Sequence, residues 1–122
     1  MIAFGQGGRS VAFILLLLIG PLATSWAHAV LVDSTPKPNS IIRDPKLVVN
    51  LRFNVRVDGK RSRVRLVATD GTASMLPLAE QPRPDTLQTR AVALKPGVYT
   101  LRWQVLAFDG HVNQGEVPFT SN

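Results

Sequence analysis

An alternating segment near the middle of the chain, residues 47–55, reads LVVNLRFNV. Because successive side chains of a β-strand point to opposite faces, an apolar period of two predicts a strand with one face in a core. The segment therefore indicates a β-protein rather than a helical bundle. The residues on its apolar face are Leu47, Val49, Leu51, Phe53 and Val55.

The same alternation returns further along the chain. Val64 and Leu66 alternate with Arg63 and Arg65, and Asp70-Gly71 follows them with the composition of a tight turn. No window has helical periodicity, so short strands separated by Pro- and Gly-rich turns predict a single all-β domain, a β-sandwich or a small Greek-key barrel. The inward residues of the last two strands are Tyr99, Leu101, Trp103, Val105, Val117 and Phe119.

Residues 1–27 differ in composition from the rest of the chain. Residues 11–19 form an unbroken apolar block, too short for the span of about 20 residues that crosses a bilayer. Arg9 precedes the block, and small residues flank Trp26 in the spacing that a signal peptidase reads. We therefore expect residues 1–27 to be a signal peptide that is removed when the protein is exported.

Cleavage after Ala27 would make His28 the first residue of a folded domain over 28–122. Cleavage after Ala29 is the alternative, and it would discard His28. An uncleaved membrane anchor is a second alternative. Of these three possibilities, only cleavage after Ala27 leaves a histidine at the free amino terminus of the mature chain.

The chain has 122 residues, 14 Lys+Arg against 8 Asp+Glu, and no cysteine. The lack of cysteine excludes disulfides, thiolate metal sites and blue-copper centres. Arg61, Arg63 and Arg65 alternate along one strand, where a solvated sheet face is the simpler interpretation. A docking patch for an acidic membrane partner or anionic lipid is the alternative. Nucleic acid is not expected, because the chain has an export signal and lacks a pattern of stacking aromatics.

Two histidines remain for chemistry, at opposite ends of the expected domain. A terminal His28 offers an α-amine and an imidazole, nitrogen donors that suit Cu(II). Asp109 and His111 are two residues apart, so both would project to one side of an extended backbone and share an ion, with Gly110 allowing a bend. An ordinary solvated Asp-Gly turn is the competing interpretation of this segment.

Both ends of the expected domain resemble CopC-type periplasmic copper-resistance proteins. At the start, HAVLVDSTPKP over 28–38 is similar to the first residues of mature CopC proteins. At the far end, PGVYTLRW over 96–103, followed by Asp109-Gly110-His111, Gly115 and Phe119, is similar to the closing signature of the family. The resemblance covers 28–122.

The resemblance implies a Greek-key, cupredoxin-like (immunoglobulin-like) β-sandwich of about seven strands that binds one Cu(II). The implied ligands are His28, through its amine and imidazole, Asp109 and His111. It also implies a monomeric, non-enzymatic carrier or buffer for copper homeostasis and resistance, with an inner-membrane copper transporter as partner. Many relatives have an acidic residue where this chain has Val55, and Met75 alone does not support a thioether site for Cu(I).

Two other classes stay open at this point. A terminal-histidine brace is also used by copper oxygenases, although the short chain, the carboxylate at Asp109 and the lack of a flat aromatic surface argue against one. A metal-free sandwich for adhesion or assembly would follow if cleavage after Ala29 removed His28.

Overall fold

The computed structural model describes residues 28–122, so the expected signal peptide over 1–27 lies outside the described residues. This part of the chain contains ten β-strands and no helix, which confirms the all-β prediction. Several strands have only two or three residues, so their number exceeds the approximately seven strands that the resemblance implied. The strands are β1 (Leu31–Thr35), β2 (Ser40–Ile42), β3 (Lys46–Leu47), β4 (Asn50–Phe53), β5 (Val57–Ala68), β6 (Ala73–Met75), β7 (Thr86–Gln88), β8 (Val92–Ala93), β9 (Gly97–Ala107) and β10 (Val112–Ser121).

The strands form a sandwich. One layer is the five-stranded sheet β2-β10-β9-β5-β6, in which the long β9 pairs antiparallel with both β5 and β10. The other layer consists of the sheet β1-β4-β7 and the short pair β3-β8. Among the strands of residues 28–122, only β2 pairs parallel, with the end of β10. No helix in residues 28–122 is long and apolar enough to cross a membrane.

The alternating segment that predicted the fold is a strand interrupted in its middle. In β4 Asn50 lies opposite Gln88, whereas in β3 Leu47 lies opposite Val92, so three residues, 89–91, face two, 48–49. This is the count of a β-bulge. Buried Thr89 bridges the interruption, because its hydroxyl accepts a hydrogen bond from Val49 N at 2.9 Å and its own N–H donates to Val49 O at 2.9 Å.

The predicted inward faces form the core. Of the alternating apolar residues of 47–55, the first four are fully buried and Val55 packs against the core while half-buried. Phe53 meets Trp103 edge to face across the sandwich, with ring centroids 5.1 Å apart. Gly115 lies against the Trp103 indole, and a Cβ at this position would overlap the ring. Both strand layers therefore contribute large side chains to one core.

Polar side chains hydrogen-bond to the backbone in two of the connections between strands. At Asp70-Gly71 the Gly71 backbone has a φ of 88° and its N–H donates to Ala68 O, while Asp70 Oδ1 accepts from Thr72 N. The Pro-rich segment 77–85 lies along β4 and the start of β5. Its Gln81 side chain donates to Val57 O at 3.2 Å and to Thr86 O at 3.3 Å.

Candidate metal centre

The turn between β9 and β10 presents the acidic and histidine side chains singled out in the sequence. Ala107 N donates to His111 O at 2.8 Å, and Gly110 N donates to Ala107 O at 2.9 Å. Gly110 has a φ of 86°, in the left-handed region that glycine adopts at little cost. The backbone is therefore a closed turn rather than the extended strand that the two-residue spacing had indicated.

The turn nevertheless brings Asp109 and His111 into contact. His111 N donates to Asp109 Oδ1 at 3.0 Å, and His111 Nδ1 lies 3.2 Å from Asp109 Oδ2. Two ligands that are each about 2.0 Å from one ion lie roughly 2.8–3.3 Å apart in square or tetrahedral geometry. The observed separation therefore fits a hydrogen-bonded pair and also two neighbouring ligands of one metal ion.

The local electrostatics keep the carboxyl ionised. The hydrogen bond from the His111 backbone N–H is the largest effect and holds the pKa of Asp109 below its ordinary value, although partial burial acts in the opposite direction. The side chains are 30% exposed for Asp109 and 44% exposed for His111. A carboxylate is thus available to a cation from solvent at any pH near neutrality.

The start of the described chain is anchored by Asn54, which the sequence pattern had assigned only to the polar face of a strand. Val30 N donates to Asn54 Oδ1 at 2.7 Å, and Asn54 N donates to Val30 O at 3.0 Å. Ala29 is buried in the core, whereas His28 is exposed. These contacts hold residues 29 and 30 in place and leave His28 at the surface beside the end of β4.

The segment 54–56 connects the chain start to the β9–β10 turn. Asn54 bonds to residue 30, and two residues later Arg56 O accepts a hydrogen bond from Phe108 N at 2.9 Å. Since two residues of extended chain span at most about 7 Å, residues 28–30 and the turn lie at the same end of the sandwich. The fold therefore places two distant sequence ends on either side of one short segment.

Val55 occupies the middle of that segment. It lines a small cavity of about 280 Å³ together with Ala107, Phe108 and Asp109. The position at which relatives were expected to have an acidic residue is therefore adjacent to Asp109, but here it presents an apolar wall.

The donor set is not assembled as a complete cluster. In the part of the chain that the structure describes, no group of three or more His, Cys, Asp or Glu side chains is arranged to hold a metal ion. Asp109 and His111 are together, and His28 lies at the same end without forming a third member. Asp33, another carboxylate near the chain start, faces Lys37 at 3.9 Å instead.

These observations define the class of protein. It is an all-β sandwich that has a carboxylate–imidazole pair at the same end as residues 28–30. The CopC domain model matches residues 31–122. The chain belongs to the CopC domain family, as its two terminal motifs predicted.

Two curated proteins are similar to this chain over most of its length. Protein YobA of Escherichia coli (strain K12) is 30% identical over 117 residues, which cover 92% of this chain and 94% of that protein. Copper transport protein CutJ of Bacillus subtilis (strain 168) is 29% identical over 111 residues, which cover 88% of this chain and 20% of that protein.

Solved structures show the same fold. The crystal structure of CopC from Methylosinus trichosporium OB3b is 28% identical with a TM-score of 0.70, covering 78% of this chain and 94% of that chain. The structure of PcoC from Escherichia coli is 22% identical with a TM-score of 0.64, covering 79% of this chain and all of that chain, and it supports the fold alone. The β-sandwich prediction is therefore confirmed.

Proposed function

We propose that this protein binds one Cu(II) ion in the periplasm through His28, Asp109 and His111. The observation that carries the proposal is the Asp109–His111 pair, whose oxygen and nitrogen lie 3.2 Å apart in a turn at the same end of the fold as residues 28–30. The copper transport protein CutJ, a relative over most of this chain, supports copper as the metal.

The donor chemistry favours copper over other divalent ions. Cleavage after Ala27 would add an α-amine and an imidazole from His28 to the carboxylate and imidazole of the turn. Three nitrogens and one oxygen suit the tetragonal preference of Cu(II), which also stands highest in the affinity series for such ligands. The amine and both imidazoles bind only without a proton, so copper affinity falls as the pH drops.

The role that follows is storage and transfer rather than catalysis. Because Asp109 and His111 lie in a turn at the surface, a metal ion can bind and dissociate without any opening of the core. We therefore propose a carrier or buffer in copper homeostasis and resistance that supplies an inner-membrane copper importer and acts as a monomer.

The test is a Cu(II) titration of the exported, processed protein followed by electron paramagnetic resonance. We expect one equivalent of a type-2 signal. We expect at least about a tenfold loss of Cu(II) affinity from each of His28→Ala, Asp109→Asn and His111→Ala. Loss of a group that only hydrogen-bonds to a metal ligand already lowers metal affinity about tenfold. Asp33→Asn is the matched control, since it removes a nearby carboxylate outside the proposed set. A protein without a type-2 signal, or one in which Asp33→Asn is as harmful as Asp109→Asn, would contradict the proposal.

A further inference from the structure

A basic cleft lies directly beside the Asp109–His111 turn. Its volume is about 620 Å³, and Phe108 and Gly110 of the turn form part of its wall. Three arginines and one carboxylate, Asp58, are among the other lining residues. The arginines are Arg56, Arg61 and Arg83.

The carboxylates near the cleft do not neutralise it. Asp58 Oδ1 accepts hydrogen bonds from the backbone N–H groups of Lys60 and Arg61, and its Oδ2 is 3.9 Å from Arg61 Nε. Arg83 Nε is 3.7 Å from Asp85 Oδ1, and this pair contributes little because the guanidinium is mostly exposed to solvent. Within residues 28–122, Arg56 forms no salt bridge, so the cleft retains an excess of positive charge.

Phe108 separates this cleft from the small apolar cavity beside Val55. It is 78% exposed, the most exposed large apolar side chain among the described residues. The Arg56 guanidinium lies 5.5 Å from the centroid of the Phe108 ring, and the Phe108 backbone N–H donates a hydrogen bond to Arg56 O. Arg56, Ala107 and Phe108 line both hollows. Aromatic residues, including phenylalanine, and arginine are enriched at protein–protein interfaces relative to the rest of a protein surface.

We propose that the basic cleft and the apolar cavity together dock an acidic protein segment that carries an apolar anchor residue. The anchor would enter the cavity between Val55 and Phe108 while carboxylates of the same segment face Arg56, Arg61 and Arg83. Resting on the proposed function, this segment belongs to the protein that exchanges copper with the turn, because Phe108 and Asp109 are consecutive residues.

The structure favours this surface over the arginine row noted in the sequence. Arg61 lines the cleft, but Arg63 and Arg65 line a separate depression on the outer sheet face. On that face Arg102 Nε donates to Glu116 Oε1 at 3.1 Å, and no exposed aromatic ring accompanies it in the described lining. A small anion would use the arginines of the cleft without the apolar cavity, so the combination indicates a peptide segment.

The test is calorimetric titration of the purified protein, with and without copper, by a nine-residue peptide of three Glu-Glu-Leu repeats. A Glu-Glu-Ser peptide of equal charge tests the apolar anchor, and phosphatidylglycerol vesicles test a lipid surface. The double variant Arg61→Gln/Arg83→Gln should weaken binding of the leucine peptide about tenfold, the scale of two partly screened charge contacts. Arg63→Gln/Arg65→Gln removes the same charge from the outer face and should change affinity less than twofold. Phe108→Ala should abolish the preference for leucine over serine.

Equal weakening by both double variants would show attraction to net charge alone and would overturn the proposal. Binding of vesicles without binding of either peptide would also overturn it, in favour of a membrane. Because the peptide titration is performed on metal-free protein as well, failure of copper binding would not be mistaken for failure of docking.

Discussion

At the residue scale, Asp109 and His111 contact each other through a backbone geometry that the sequence did not predict. The sequence predicted a shared site from an extended backbone, in which side chains two apart point the same way. The structure achieves the contact through a closed turn with Gly110 in the left-handed region. Spacing alone could not distinguish these conformations, because Asp-Gly-His permits both.

Asn54 is a positioning residue that sequence reasoning overlooked, since nothing local distinguishes it from other polar strand residues. Asn54→Ala removes the acceptor for Val30 N and should lower Cu(II) affinity about tenfold, the usual effect of losing a group that supports a ligand. The measurement is a competition titration together with hydrogen exchange of the Val30 amide, which should lose protection. Asn54→Asp retains an oxygen at this position and should keep the amide protected. Unchanged exchange in Asn54→Ala would contradict this role.

Asp70 provides a prediction about pH. Hydrogen bonds from the backbone and side chain of Thr72 hold its pKa below the ordinary 3.8. A folded-state pKa below the unfolded one stabilises the protein above the unfolded pKa, and this contribution disappears as the pH falls through the folded pKa. Urea unfolding of the wild type and Asp70→Asn should therefore differ at pH 7, with the wild type more stable, and converge at a pH below both pKa values. A gap that persisted in acid would contradict this explanation.

At the element scale, the interruption between β3 and β4 depends on a contact 40 residues away in the chain. The alternating pattern of 47–55 predicted which side chains are buried, and it did so correctly. It could not predict the bulge, because the extra residue lies in the partner segment 89–91 and the bridging hydroxyl belongs to Thr89.

Thr89→Val tests this bridge with little change of shape. The substitution leaves the buried Val49 N–H without an acceptor and should lower the free energy of unfolding by about 1–3 kcal/mol, as for other buried donors that lose a partner. Thr89→Ser keeps the hydroxyl and is the matched control. Urea denaturation measures both variants. If Thr89→Ser were as destabilising as Thr89→Val, the methyl group rather than the hydrogen bond would be responsible.

At the scale of the whole molecule, the fold was accessible from the sequence because strand periodicity and turn residues are local signals. The candidate site was accessible only in part. Its residues could be selected from the sequence because the chain has only two histidines and because both ends of the domain resemble CopC proteins. The proximity of residues 28–30 to the turn could not be predicted, since it depends on contacts through Asn54 and Arg56. The docking surface was less accessible still, since Arg56, Arg83 and Phe108 come from three separate segments.

The central claim is that export creates the copper ligand at residue 28. Native mass spectrometry of the protein purified after export, with and without copper, tests the terminus and the metal in one measurement. We expect a chain over 28–122 that gains the mass of one copper ion. A chain that begins at residue 30 and still binds one copper, or a chain that begins at His28 and binds none, would contradict the account.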